Sequence, residues 1–217
     1  MRNTITVIVI ILFLGTTLLA QSPEVVKARE ILDEVSNTTR SYESIKADFT
    51  FTLENTQADI SDSHDGTVII SDDKYKVTLM DYDNYFDGET LWTHLKEVGE
   101  VNISNPDPMD DMMLSPANIF NIYKEGFRYI FAGETTVDGK KVEIVDLFPE
   151  DRDKSFSRIK LYVDKENHHI SKITQIGKDG SNYIIDVHDM KTNVECNPST
   201  FIFDTSEHPD VDVIDMR

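Results

Sequence analysis

The chain has 217 residues, 39% of them hydrophobic, and a formal net charge of −19. That size and composition predict a globular core in one or two domains and argue against large-scale disorder. The acidity opposes binding to nucleic-acid phosphates and anionic lipid surfaces, and a lone cysteine, Cys196, leaves no internal disulfide.

Arg2 precedes the almost wholly apolar run Ile5–Leu19, and Leu18-Leu19-Ala20 places a small residue before Gln21. This pattern predicts a secretory signal peptide over residues 1–20, too short for a confident membrane span. Residues 21–217 are then expected to form one secreted domain, since no Gly/Ser- or Pro-rich linker divides them. Ser22-Pro23 predicts a serine-capped helix with proline at its first position. Val25, Ala28, Leu32 and Val35 give it one apolar stripe, ending near Asn37.

Ser44–Glu54 is the sharpest strand signal. Ile45, Ala47, Phe49, Phe51 and Leu53 alternate with Lys46, Asp48, Thr50 and Thr52, so one face is apolar and one wet. The helix is the nearest candidate to cover it. A polar loop is expected over Asn55–Asp65, then short strands at Thr67–Ser71, Tyr75–Leu79 and Tyr82–Phe86. Asp87-Gly88 signals a hairpin into Thr90–Val98, which carries Trp92, with Gly99–Ser104 as its partner. Asn105–Asp111 reads as a loop. Ser115-Pro116 opens a second short helix holding Ile119, Phe120, Ile122 and Tyr123, which Gly126 ends. Alternation then returns in strands around Phe127–Phe131, Val142–Leu147, Ile159–Val163, Ile170–Ile176 and Tyr183–Val187. Phe201 and Phe203 follow, and a polar tail closes the chain. The expectation is about ten antiparallel strands in one meander, curled into a half-open barrel whose helices plug an apolar cleft.

Little in the sequence points to catalysis. Asp81, Asp83 and Asp87 miss the EF-hand pattern, because Tyr85 and Phe86 stand where it needs an acidic or amide residue and a glycine. Asp107, Asp110 and Asp111 lack ligand spacing, and the six histidines, among them His168-His169 and His188, make no zinc pattern. The adjacent pair is expected to be solvated. The sequence has no Gly-x-Ser-x-Gly, phosphate loop or His-Glu-x-x-His. Neither an enzyme nor a cofactor is expected.

The order of pieces resembles the periplasmic outer-membrane lipoprotein carrier family, LolA-like. It is carried by the N-terminal helix before SIKADFTFTLE, by Gly66 opening a strand, by DKYKVTL, by YFDGETLWTHL, by SPANIF and by the closing FIFDTSEHPDVDVID. Asp-Gly-x-Thr-Leu-Trp is the most specific of these. The resemblance implies an incomplete antiparallel barrel with a helical lid over a hydrophobic cavity. It further implies a monomeric carrier that takes acylated lipoproteins from an inner-membrane ABC transporter and hands them to an outer-membrane acceptor. Members commonly carry an Arg-Pro turn before the third strand, whose arginine helps latch the lid; here Ser71-Asp72-Asp73 stands in its place.

On this reading Phe49, Phe51, Leu53, Tyr75, Val77, Leu79 and Trp92 form the cavity wall, and Leu32, Val35, Ile119, Ile122 and Tyr123 form the lid. The alternative is a lipid- or lipoprotein-binding sensor of the cell envelope on the same fold.

Overall fold

The computed structural model describes residues 22–105, 119–120, 122–137 and 139–217, save the side chain of Ile122. The expected signal peptide, Asp107, Asp110, Asp111 and Ser115–Asn118 lie outside the described residues.

One helix, α1 (Pro23–Arg40), precedes the sheet. Ser22 holds the expected cap position with an extended backbone, and its carbonyl accepts from Val25 and Val26 N–H. Its hydroxyl makes no capping hydrogen bond, so the expected side-chain cap is absent. Eighteen residues of mixed polarity are marginal as an isolated helix. Burial of Ala28, Ile31, Leu32 and Val35, each at most 2% exposed, is what holds it. The three larger side chains contribute about 1.5–3 kcal/mol each.

Twelve strands form one sheet that does not close into a barrel. They are β1 (Ile45–Asn55), β2 (Ile60–Ser71), β3 (Lys74–Leu79), β4 (Tyr82–Phe86), β5 (Leu91–Leu95), β6 (Glu100–Ser104), β7 (Phe127–Val137), β8 (Lys140–Pro149), β9 (Phe156–Asp164), β10 (Ile170–Gly177), β11 (Ser181–Thr192) and β12 (Asp212–Asp215). The order β12-β6-β5-β4-β3-β2-β1-β11-β10-β9-β8-β7 joins two antiparallel meanders through the β1–β11 pair. This is the mainly-β half-barrel that the sequence predicts.

Three elements differ from expectation. Where a second helix is expected to hold Ile119, Phe120, Ile122 and Tyr123, the described residues form a turn at Ile119-Phe120 and a 3₁₀ turn over Ile122–Lys124. The polar segment Ser61–Asp65 is strand, paired with Thr50–Glu54 of β1. Side-chain bonds cross that ribbon, from Thr50 to Asp65 at 2.7 Å and between Thr52 and Ser63 at 2.9 Å, so hydroxyls and a carboxylate replace the missing apolar alternation. The polar tail is also partly strand: β12 runs parallel to β6, held by Asp212 N–H to Gly99 O and Met216 N–H to Ile103 O, both 2.8 Å.

Residues directly opposite one another share a face of a sheet. Phe49 therefore shares the inner face with Gly66, Leu79, Val187, Ile173 and Leu161. Gly66 has a steric reason to lack a side chain. A Cβ there would stand 2.6 Å from the Phe49 ring and 2.9 Å from the Thr78 carbonyl.

The helix does not lie on the Phe49–Leu53 face. It packs at the other end of the sheet, where Ile31, Leu32 and Val35 join Val145, Leu147, Ile159, Leu161 and Val163 in the main core. Glu143, on the same inner face and 2% exposed, accepts an ion pair from Lys27 of α1 at 2.9 Å. The apolar stripe of α1 thus meets Val145 and Leu147 of β8 and Ile159, Leu161 and Val163 of β9, and Glu143 in that face is matched by a lysine of the helix.

Candidate functional site

The inner face has three regions. At one end α1 covers β7–β10. In the middle, Phe49, Val77 and Leu79 form a second cluster with Phe51, Val68, Tyr75 and Ile185 packed beside it. Between these regions lies an apolar cavity of about 90 Å³. Its floor comes from β1 (Ile45, Ala47, Phe49), β2 (Val68, Ile70), β3 (Val77), β10 (Ile170, Ile173) and β11 (Ile185, Val187, Met190). Ile119 and Phe120, in a turn rather than a strand, close it.

Of the predicted wall, Phe49 and Val77 line this cavity, and of the predicted lid, Ile119 does. Phe51, Leu53, Tyr75 and Leu79 share the inner face but stand beside the cavity. Phe51 meets Tyr183 at 6.3 Å between ring centroids, and Tyr75 meets Phe86 at 5.2 Å. Leu32, Val35 and Tyr123 belong to the main core rather than to a cover. The backbone of Ile122 begins a 3₁₀ turn, Ile122–Lys124.

Trp92 lies on the opposite face. Register runs from Trp92 through Tyr85, Lys76 and Ile69 to Lys46, the exposed side of β1. Its cover is the C-terminal segment: Tyr85, Val101 and Phe203 form a third cluster against which Trp92 and Val211 pack. Leu91 and Leu95, not Trp92, share the cavity's face. The lining residues that sequence reasoning left out are Ile45 and Ala47 of β1, Phe120, and those of β2, β10 and β11. Ile185 and Val187 alternate visibly in the sequence, but only the β1–β11 register, broken by a bulge between Asp48 and Phe49, brings Val187 opposite Phe49.

The polar groups around this region are structural. Tyr123, 6% exposed, donates to Asp33 at 2.7 Å and ties the 3₁₀ turn to α1. Burial and that hydrogen bond push its phenol up to about 12. A folded value above the unfolded one, near 10, favours the neutral phenol in the native state, so this contribution is complete below pH 10. It is expected to vanish as pH rises from about 10 to 12. Urea melts across that range should show the loss, and Tyr123→Phe should flatten it. His169 accepts or donates at 2.9 Å to Tyr42, and His168 lies 3.3 Å from Glu34. Both rings are half-buried, against the solvated pair expected. Burial lowers the His169 value despite nearby Asp164. Asp83 pairs with Lys96 at 2.8 Å. Among the described residues no group of three or more His, Cys, Asp or Glu side chains is placed to hold a metal ion. Nor is any helix among them long and apolar enough to cross a membrane.

The open half-barrel is what the resemblance implies, whereas the helix expected as a lid packs at the sheet's end; comparison with known proteins agrees on the family. A sequence profile for the outer membrane lipoprotein carrier protein LolA matches residues 17–179, well over half of the chain. The chain belongs to the LolA lipoprotein carrier family. No protein of curated function matches the sequence. An uncharacterised conserved protein from Thermus thermophilus is similar in structure, with a TM-score of 0.58 at 12% identity over 87% of this chain and 99% of that one. A DUF1329 family protein from Desulfovibrio piger gives 0.51 at 11%, over 86% and 100%. A LolA superfamily protein from Nitrosomonas europaea gives 0.46 at 12%, over 82% and 98%. At such identities the likeness is one of fold.

Proposed function

We propose that this member of the LolA family is a non-enzymatic periplasmic carrier that shelters acyl chains, those of a lipoprotein or a lipid, between the inner and outer membranes. The observation that carries this reading is the apolar cavity built from five strands of one face and roofed by Ile119 and Phe120. Each methylene withdrawn from water is stabilised by about 0.8 kcal/mol, so a chain in transit needs such a shelter.

The cavity is small as it stands. An apolar pocket near 150 Å³ is what one benzene ring fills, so about 90 Å³ takes only a few methylenes. A whole chain requires the walls to part. The strands are held by ladders, and α1 is held by the main core and by the Lys27–Glu143 pair. Ile119 belongs to that core and Phe120 packs against it, but both sit in a turn outside the ladders and outside α1, so on this reading they are the part that yields. α1 is a fixed pillar and not a lid. Handover from an ABC transporter and to an outer-membrane acceptor belongs to this proposal.

Organic extraction of protein purified from the native periplasm, followed by mass spectrometry, is expected to yield acylated molecules in stoichiometric amount. Extracts without acyl chains, together with no uptake of palmitate by the folded protein, would overturn the carrier reading in favour of a sensor that binds a protein partner.

A further inference from the structure

A second chamber of about 120 Å³ adjoins the apolar cavity, and Ile45, Ile70 and Phe120 line both. Beyond those three side chains the lining changes character. Arg40 closes α1, Glu43 lies in the connection to β1, and Ser71 and Asp72 sit where β2 turns into β3. Arg40, Glu43 and Asp72 are exposed at the rim. An apolar chamber side by side with a charged one matches an amphiphile, with the tail in the first and the head in the second.

The charges narrow the head. One guanidinium and two carboxylates surround it, and the C-terminal end of α1, the negative end of its dipole, supplies Thr39 and Arg40. A purely anionic head meets both carboxylates, inside a chain whose net charge is −19. A purely cationic head meets Arg40 at the same rim. A neutral head uses none of them. We propose that this chamber is a head-group subsite selecting a zwitterionic amphiphile, with the cation toward Glu43 and Asp72 and the anion toward Arg40. The proposal rests on the carrier reading of the adjoining cavity and adds the class of head that the cargo carries. A phosphoethanolamine lipid and an acylated amino acid share this chemistry.

The test compares four palmitoyl amphiphiles below their micellar concentrations: lysophosphatidylethanolamine, palmitoyl-lysine, lysophosphatidic acid and monopalmitoylglycerol. Binding to the delipidated protein is measured by calorimetry at low salt. Both zwitterions are expected to bind at least threefold more tightly than the anion and the neutral lipid, and the tighter of the two identifies the source. Exposed charge pairs are individually weak, so Arg40→Gln and Asp72→Asn should each reduce zwitterion affinity by about twofold to fivefold. Neither should change affinity for monopalmitoylglycerol, which shows that the cavity is intact in both variants. Equal affinity for all four heads, or variants that lose the neutral lipid as much as the zwitterions, would overturn the subsite while leaving the cavity reading in place. Binding of none of the four would overturn both.

Discussion

Leu32→Ala is expected to destabilise the protein by about 2–5 kcal/mol, the range for emptying a fully packed core site. Leu32 is 1% exposed and lies with Ile31 and Val35 against Val145, Leu147 and Leu161. For a chain of this size each kcal/mol moves the melting temperature by about 2–4 °C, so a fall of roughly 4–20 °C should be seen. The result decides what α1 does. If the helix were a lid, resting on the sheet and lifting for each cargo, truncating one of its contacts would loosen the closed state with little effect on global unfolding. A full core penalty says that α1 folds with the sheet and stays there. Lys27→Met asks the same question electrostatically, because it leaves Glu143 buried without its nearest cation.

The second large effect concerns the cavity. Ala47 is 4% exposed and sits on its floor between Ile45 and Phe49. Ala47→Phe projects a ring into a cavity smaller than the one a benzene ring fills, so it should carry the full cost of overpacking, about 1–3 kcal/mol, while blocking the site. Affinity for a palmitoyl chain is expected to drop at least tenfold, because the ring occupies the volume that the first methylenes need. Leu53→Ala is the control: it removes an inner-face side chain that stands beside the cavity, and it should leave affinity within a factor of two. Unchanged binding in Ala47→Phe, with a folded protein, would place the ligand elsewhere.

These two experiments rest on placements of unequal legibility. The strand face Ile45-Ala47-Phe49 could be read directly, since strict alternation of apolar and polar residues fixes both the element and its buried side. The start of α1 was equally plain from Ser22-Pro23. Trp92 was not legible. Its neighbours Leu91 and Leu95 are apolar too, so period two gives no sign of which side is inward, and the decision falls to register across β4, β3 and β2. Its cover arrives from Phe203 and Val211, more than a hundred residues along the chain. The same distance hid β12, whose polar sequence becomes strand only because β6 offers it a free edge. Ser61–Asp65 failed for a different reason: a ribbon outside the core needs hydrogen bonds and cross-strand pairs but no apolar stripe. Sequence adjacency places α1 over β1, whereas its stripe packs with Val145, Leu147, Ile159 and Leu161 of β8 and β9, contacts between residues more than a hundred positions apart.

The placement of Trp92 also supplies the sharpest test of the central claim, that acyl chains enter between β1–β3 and β10–β11 under Ile119 and Phe120. The protein's single tryptophan lies on the far face of the sheet, so it is a built-in negative control. Phe120→Trp in a Trp92→Phe background puts the only indole at the cavity instead. Palmitate brominated along its chain should quench that emission saturably, palmitate itself should compete the quenching away, and the native protein should show no quenching with the same ligand bound. Quenching of Trp92 in the native protein, or saturable binding that leaves the introduced indole untouched at every bromine position, would contradict the account.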